Sequence, residues 1–241
     1  MCGRFASFRE AQDLADAFAL AEITDDARRL PPSWNVAPTQ HVRIVVERED
    51  RDTHAVVRTL RLARWGLVPS WAKDPGIGAR MINARVETVQ EKRSFSRAFS
   101  RRRAIIPADA YYEWASSTVG GATPSKQPYA IRSASGSPLA FAGLYEFWKA
   151  PGAVDSGVDP WLVTTTILTT AAQGDLRAIH DRQPVVLGPE AWSPWLDPSL
   201  DAAAAEALLR APAPGLVATR VSTAVNRVGT DGPQLLAPLP D

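Results

Sequence analysis

The feature that most constrains the fold is a series of short β-rich runs that glycine, serine and proline interrupt. Residues 42–47 and 54–66 flank the charged turn REDRD, and this pattern predicts a β-hairpin. Later runs of the same kind are RAIIPADAYYEWA, QPYAIRS, SPLAFAGLYEFWK and WLVTTTILT. Helical patterns lie near residues 8–22, 171–180 and 199–211 and do not alternate regularly with the strands. The chain is therefore predicted to be α+β, with a mixed, mainly antiparallel, barrel-like β core flanked by helices, and not a Rossmann-type sheet.

The length and composition fit one domain that spans residues 1–241. A hydrophobic content of 45% is sufficient for a core. The segments GGATPSK and KAPGAVDSGVDP are predicted to be surface loops within that domain. The sequence shows no apolar run of the roughly 18 residues that a membrane span needs and no signal-peptide pattern. We therefore expect a soluble, cytoplasmic protein that has no membrane partner.

Cys2 is the only cysteine, and it directly follows Met1. A single cysteine excludes an internal disulfide, and the three scattered histidines lack the spacing of a zinc site, so neither a metal nor another cofactor is expected. Removal of Met1 would leave Cys2 with a free α-amine beside its thiol. Reference pKa values of about 8 for the amine and about 8.5 for the thiol predict that both groups are nucleophilic near neutral pH with little tuning.

An aldehyde is the natural target of such an aminothiol. The amine condenses with it to a Schiff base, and the thiolate then closes a five-membered thiazolidine ring. The alternative interpretation of Cys2 is a chance cysteine at a disordered terminus.

Three further stretches carry groups that could support this chemistry. Asn83, Arg85 and Glu87 are spaced by two and share one face if the segment is a strand. Glu113 lies among two tyrosines and a tryptophan, where partial desolvation favours the protonated acid. His180 follows a short helical pattern and offers a proton-transfer group. For each stretch the alternative is structural: a solvated polar face, a surface glutamate and a structural histidine.

The charge balance limits how this chain could bind nucleic acid. The net charge is only +1, which argues against a strongly basic binding protein. The two tryptophans of the stretch WGLVPSWAKD, Trp65 and Trp71, could stack on bases if exposed or belong to the core if buried. Any nucleic-acid contact is therefore predicted to be a focused groove with aromatic stacking.

These stretches, in this order, resemble the SOS response-associated peptidase family, the abasic-site processing proteins that crosslink to DNA. The resemblance covers most of the chain. Its motifs are MCGRF, WNVAPTQ, RWGLVPSWAKD, MINARVET, RRAIIPADAYYEW, KQPYAI, FAGLYEFW, TILTTAA and IHDRQPVVL. The chain departs from the family at Ala104 and Ala110, where relatives often carry cysteine and glycine, and at Gln183, where methionine is common. None of these changes removes a proposed catalytic group.

The resemblance implies a reaction, a partner and a set of site residues. Mature Cys2 would form a thiazolidine crosslink with the ring-opened abasic deoxyribose of single-stranded DNA and shield it. Asn83 would orient the α-amine, Glu113 would act as the acid/base in sugar opening, and His180 would transfer or stabilise a proton near the deoxyribose oxygen. The DNA-facing residues would be Arg4, Asn35, Pro38, Trp71 and Arg85.

The resemblance also implies association with the nucleoid, and the family name implies a peptidase activity that exposes Cys2. We expect the protein to be a monomer. The sequence alone leaves two alternatives open. One is an N-terminal-nucleophile glutamine amidotransferase, which would need an acyl pocket. The other is a noncatalytic single-strand-binding module, which would give Cys2 no role.

Overall fold

The computed structural model describes residues 2–50, 53–117, 125–150 and 160–240. Within these ranges the strands are β1 Phe5–Ser7, β2 Glu22–Ile23, β3 Ser33–Val36, β4 His41–Glu49, β5 Val56–Trp65, β6 Asn83–Arg85, β7 Arg103–Ala108, β8 Ala110–Ser117, β9 Ser125–Ser133, β10 Leu139–Lys149, β11 Trp161–Ala171, β12 Arg182–Pro184 and β13 Leu216–Arg220. The α-helices are α1 Ala11–Phe18, α2 Asp25–Arg29, α3 Ser96–Arg101, α4 Pro189–Leu196 and α5 Ala202–Leu208. Short 3₁₀ helices are Pro75–Arg80, Val86–Thr88, Gly174–Ala178, Thr223–Asn226 and Pro233–Leu236.

Five strands close into a barrel. β4 pairs with β5 and β7, and β10 pairs with β7 and β11, all antiparallel. A parallel pairing of β11 with β5, Thr164 with Arg64 and Thr165 with Trp65, closes the ring. Helices pack outside it. The structure thus confirms the predicted α+β fold with a mixed, mainly antiparallel barrel core.

Side chains alternate between the barrel interior and the helices, as the two-residue period of a strand requires. Ile44 of β4 and Ile106 of β7 point inward with Phe141 of β10. Their neighbours Val45 and Ile105 point outward into a second apolar cluster that includes residues of α1, α3, α4 and α5.

A second antiparallel sheet, in the order β13-β9-β8-β1-β3, covers one end of the barrel. The ring of Phe5 on β1 lies 5.0 Å from Trp65 and 6.0 Å from Phe141. Tyr111 on β8 also lies 6.0 Å from Phe141, ring centre to ring centre. Because Cys2 belongs to the same apolar cluster, we call this the Cys2 end of the barrel.

The loop after β5 needs glycine at its first position. Gly66 has a φ of +122°, and a Cβ atom there would lie 2.5 Å from the carbonyl oxygen of Gly78. This close approach holds the loop that carries Trp71 against the 3₁₀ helix Pro75–Arg80. Trp65 is fully buried and Trp71 is 47% exposed, so one of the two tryptophans is core and the other is surface.

Two sequence expectations are refined by the structure. The predicted hairpin is β4 and β5, paired from His41–Arg64 to Glu49–Val56, while residues 51–52 of its turn lie outside the described residues. The helical pattern at residues 171–180 forms only a 3₁₀ helix, because β11 continues to Ala171. Most of the two predicted surface loops, residues 120–126 and 149–160, also lies outside the described residues, but Ser125 and Lys126 belong to β9 and Lys149 to β10.

Candidate active site

Cys2 lies buried at the end of the barrel, with a relative exposure of 0%. Burial, with a further contribution from the negative charge of Glu113, raises the pKa of the Cys2 thiol well above its ordinary range. This differs from the expectation from reference values, because burial disfavours the thiolate. A reaction here must therefore begin with the amine or supply a base for the thiol.

Asn83 fixes the backbone of Cys2. Its side-chain amide donates a hydrogen bond of 2.8 Å to the Cys2 carbonyl oxygen. β6, which carries Asn83, pairs in parallel with β11 through Ile167, and this pairing anchors the amide against the barrel wall. The amide oxygen Oδ1 is buried and has no hydrogen-bond partner among the described residues. An unused buried acceptor beside Cys2 is costly to folding unless a donor arrives.

The same face of β8 presents Glu113 and Tyr111 to the Cys2 end. Glu113 is only 4% exposed, and burial raises the pKa of its carboxyl group, while the nearby His180 opposes that rise. This agrees with the sequence expectation of a desolvated acid. The sequence marks Tyr111 only as a neighbour of Glu113, but its hydroxyl is buried with no hydrogen-bond partner in the described part of the chain.

His180 stands opposite Glu113, with Nε2 at 4.0 Å from Glu113 Oε2. Its Nδ1 accepts a hydrogen bond of 2.9 Å from the Arg182 backbone N–H and also lies 2.8 Å from a carboxylate oxygen of Asp181. The first contact requires the neutral tautomer with its proton on Nε2, whereas a hydrogen bond to Asp181 requires a proton on Nδ1, as in the other neutral tautomer or the imidazolium. In the tautomer that accepts from Arg182, Nε2 carries the proton and faces Glu113 as a donor.

A cavity of about 390 Å³ opens onto the acid and the imidazole. Its lining residues are Glu113, Trp114, Lys126, His180 and Asn226. Trp114 donates through Nε1 to Asn226 Oδ1 at 2.6 Å, which ties β8 to the 3₁₀ helix Thr223–Asn226. The sequence pattern does not indicate this C-terminal wall, because only Ser222, Thr223 and Asn226 of the stretch STAVN distinguish it from a Pro- and Ala-rich region.

Two of the candidate DNA-facing residues lie mainly beneath the surface. Arg4 donates to Asn35 Oδ1 at 2.8 Å and to the Val225 carbonyl at 2.9 Å. The Asn35 amide donates to three carbonyl groups of residues 225–230. These contacts join the N-terminal and C-terminal segments behind the site.

The other three candidates are more accessible. Pro38 is half-buried in the turn that follows β3, Arg85 is exposed at the end of β6, and Trp71 is exposed with Arg93 stacked 5.1 Å from its ring centre. The predicted common face of the Asn83 stretch ends at Arg85, because Val86–Thr88 turns into a 3₁₀ helix. Glu87 consequently leaves that face and forms a two-pronged ion pair with Arg182.

Other classes of site find little support among the described residues. No group of three or more His, Cys, Asp and Glu side chains converges there as a metal site would require. None of the helices in those ranges has the length and apolar character to cross a membrane.

The fold and site define a class of protein: a barrel that buries a cysteine at position 2 beside an amide, a carboxyl group and an imidazole. Comparison with known proteins identifies the class, since the sequence model described as "SOS response associated peptidase" matches residues 1–228. Abasic site processing protein YoqW of Bacillus subtilis is 38% identical, over 98% of this chain and 99% of its own length. Abasic site processing protein YedK of Escherichia coli is 32% identical, over 99% of this chain and 100% of its own.

A crystal structure of a protein from Bacteroides thetaiotaomicron shares the fold, with a TM-score of 0.81 over 99% of this chain and 100% of that one, at 22% identity. The chain belongs to the SOS response-associated peptidase family.

Proposed function

We propose that this protein processes abasic sites in single-stranded DNA by forming a covalent crosslink through Cys2. The observation that carries the proposal is the convergence of four groups at the Cys2 end of the barrel. The Asn83 amide holds the Cys2 carbonyl, Glu113 shapes the electrostatics of the Cys2 thiol, and His180 faces Glu113. The names of the relatives YoqW and YedK support the choice of an abasic site as substrate.

The reaction begins at nitrogen, because burial raises the pKa of the Cys2 thiol and so disfavours the thiolate nucleophile. Once Met1 is removed, the α-amine of Cys2 adds to the aldehyde carbon of the opened sugar, and the aldehyde oxygen leaves as water to give an imine. The thiol sulfur then bonds to the same carbon, and its proton passes to the nitrogen. The product is a thiazolidine and one water molecule, with no oxidation or reduction.

Asn83 orients the nucleophile in this mechanism. Its Nδ2 group already holds the carbonyl of Cys2, and its Oδ1 atom is a buried acceptor without a partner among the described residues. The freed α-amine supplies the donor that this oxygen lacks. Positioning of this kind removes part of the entropic cost of bringing the amine to the aldehyde.

Glu113 and His180 move the protons that ring opening requires. An abasic deoxyribose is mostly a closed hemiacetal, so one proton must reach the ring oxygen and another must leave the anomeric hydroxyl. The raised pKa of Glu113 keeps a proton available nearer to neutral pH, and the Nε2–H group of His180 faces the same carboxyl group.

The DNA strand would contact Arg85 and Trp71, which are exposed, while Arg4, Asn35 and Pro38 would shape the wall behind them. Stacking on Trp71 compensates for a net charge of only +1, because it does not depend on bulk charge. We further propose that the protein acts as a monomer, associated with the nucleoid of the cytoplasm, and that its peptidase activity removes Met1 from its own chain.

Intact mass spectrometry tests the proposal directly. Protein without Met1, incubated with single-stranded DNA that contains one abasic site, should gain the mass of the DNA strand minus one water molecule. Cys2→Ala should give no stable adduct. Cys2→Ser should give an adduct only after borohydride reduction, because its amine still forms the imine. A stable adduct with Cys2→Ala, or full crosslinking by protein that retains Met1, would contradict the aminothiol mechanism.

A further inference from the structure

The barrel has a second end that the proposed crosslinking chemistry does not use. Phe141 closes the Cys2 end, and Phe147 lies six residues further along β10, which is about 20 Å at the rise of a strand. A cavity of about 810 Å³ opens at this far end. We call it the arginine mouth, and its positively charged and aromatic residues are Arg48, Arg61, Arg97, Arg101, Arg102, Tyr145, Phe147 and Trp161.

Three guanidinium groups surround a single ring in the arginine mouth. The central guanidinium carbons of Arg48, Arg61 and Arg102 lie 5.3, 5.4 and 5.6 Å from the centre of the Phe147 ring. The ring face offsets part of their mutual repulsion. Burial raises the pKa of the adjacent Tyr145, and these same three arginines oppose the rise, so their positive field extends to its hydroxyl.

The carboxylates of the mouth do not cancel this charge. Glu146 is buried and paired with Arg102, and Glu47 is paired with Arg58, a residue outside the cavity lining. Glu49 lies 2.6 Å from Nδ1 of His54, and its carboxylate offsets one positive charge of the mouth.

Within the described residues, three arginines of the mouth form no ion pair with a carboxylate: Arg48, Arg97 and Arg101. Among the described residues the lining of the mouth has five arginines and three glutamates, an excess of positive charge that a bound anion can balance.

We propose that the arginine mouth binds a phosphate group that carries a nucleobase. Planar guanidinium groups bind phosphate oxygens in pairs, which favours phosphate over a simple halide. Trp161 is 50% exposed at the rim of the same cavity, with Nζ of Lys149 5.8 Å from its ring centre, and we infer that the base of the ligand stacks on this indole.

Two sources could supply this chemistry: a free nucleotide or a strand of nucleic acid. Ser70 lines the mouth, and the next residue, Trp71, lines the neighbouring cavity. A strand leaving the mouth would therefore reach the proposed DNA-facing surface.

Calorimetric titration of the full chain with three probes tests the site: inorganic phosphate, deoxyadenosine monophosphate and a short single-stranded oligodeoxyadenylate. We expect the nucleotide to bind about tenfold or more tightly than phosphate, because stacking adds to the phosphate contact. The double substitution Arg48→Gln with Arg101→Gln should weaken nucleotide binding at least about tenfold. Trp161→Ala should bring nucleotide affinity down to that of phosphate while phosphate affinity stays the same.

Matched controls separate this site from the Cys2 end. Arg28→Gln, an exposed arginine on α2, and Arg85→Ala should both retain wild-type nucleotide affinity. The double variant should also crosslink abasic DNA at the wild-type rate when DNA is saturating, because its substitutions lie at the opposite end of the barrel.

The proposal is overturned if the double variant keeps its nucleotide affinity, if Arg85→Ala loses it instead, or if Trp161→Ala changes nothing. Tighter binding of the oligonucleotide than of the nucleotide, with a steeper salt dependence, would support the proposal and identify a strand as the source. Equal affinities for the two would support it and identify the free nucleotide.

Discussion

Two buried arginines, Arg103 and Arg43, hydrogen-bond to the ends of the helices, and we call them the arginine clamps. Buried polar groups are fully hydrogen-bonded at these clamps, whereas some are left without partners at the Cys2 end of the barrel among the described residues. Arg103 is 3% exposed, and its guanidinium donates to the carbonyl oxygens of Phe99, Ser100, Trp195, Asp197 and Leu200. Arg43 is 1% exposed and donates to the carbonyls of Arg9, Ala27 and Leu30. At the Cys2 end, in contrast, Asn83 Oδ1 and the Tyr111 hydroxyl have no such partners among the described residues.

The difference distinguishes buried polar groups that stabilise the fold from those that can contact a substrate. Arg103 satisfies carbonyl groups at and beyond the C-terminal ends of α3 and α4, which would otherwise be left without donors. Its cost of burial is offset by hydrogen bonds that are complete in the folded chain. The Cys2 end carries its unsatisfied groups without such compensation, as expected of a site that a substrate completes.

The largest effect expected from this comparison is catalytic. Glu113→Gln should slow crosslinking to abasic DNA by about 10²–10⁴-fold, because glutamine keeps the shape but cannot transfer the proton. The noncovalent affinity for the same DNA should stay nearly unchanged. Single-turnover rates measure the loss, and Glu91→Gln, an exposed carboxamide substitution, is the control.

The rate of Glu113→Gln on a small aldehyde that is mostly open tests whether Glu113 acts in sugar opening. The Glu113→Gln defect should shrink on it, since no sugar ring has to open. An equal defect on both substrates would assign Glu113 to imine chemistry or folding, and no defect on either would make it a structural residue like the arginine clamps.

The next effect concerns the clamp itself. Arg103→Met keeps most of the side-chain volume but removes every donor, so we expect a loss of about 3–5 kcal/mol in the free energy of unfolding. Arg97→Met on the exposed side of α3 should change it by less than about 0.5 kcal/mol. Urea denaturation measures both. A loss below about 1 kcal/mol for Arg103→Met would mean that water replaces the guanidinium. The hydrogen bonds of the arginine clamp would then not be what distinguishes it from the Cys2 end.

The sequence predicted much of the fold, but it did not predict which polar residues are buried to stabilise the helices and which belong to the Cys2 end. The strand runs, the hairpin and the barrel-like core follow from alternating apolar residues, which a local pattern reports directly. The motif around Arg103, SRRRAIIP, contains three adjacent arginines, and nothing local distinguishes the buried one from its exposed neighbour Arg101. That distinction arises only when α4 packs against β7.

The site was predictable to the extent that its residues lie in motifs. The sequence indicated Asn83, Glu113 and His180 as candidates, and the structure places all three at the Cys2 end. It did not indicate the wall formed by Asn226 or the unpaired hydroxyl of Tyr111. It also missed the raised pKa of the Cys2 thiol, because burial of a residue near the terminus depends on a sheet that closes over the barrel.

A smaller effect is the pH dependence of stability. The pKa of Glu113 is raised in the folded state from an ordinary value near 4.5, so the folded chain binds its proton more tightly than the unfolded chain. The wild type should therefore lose stability relative to Glu113→Gln as the pH rises above about 4.5, by at most about 1.4 kcal/mol per pH unit, and level off above the folded-state pKa. Urea midpoints of both proteins from pH 4 to pH 8 measure the difference. A constant difference across this range would show that burial does not perturb the carboxyl group.

The smallest effect is expected at two adjacent tyrosines of β8, one with a hydrogen-bonded hydroxyl and one whose hydroxyl has no partner among the described residues. The hydroxyl of Tyr112 donates to the Trp34 carbonyl at 2.8 Å, whereas that of Tyr111 has no partner in the described residues. Tyr112→Phe should lower the free energy of unfolding by about 1 kcal/mol, because it leaves a carbonyl without its donor. Tyr111→Phe should leave the free energy of unfolding unchanged or raise it by up to about 1 kcal/mol, since the buried hydroxyl that it removes has no hydrogen-bond partner among the described residues. If the hydroxyl of Tyr111 is instead a contact for the substrate, Tyr111→Phe should also slow crosslinking by less than about tenfold, the value of one neutral hydrogen bond. Equal destabilisation by the two substitutions would contradict the reasoning, because the unpaired hydroxyl would then behave as the satisfied one does.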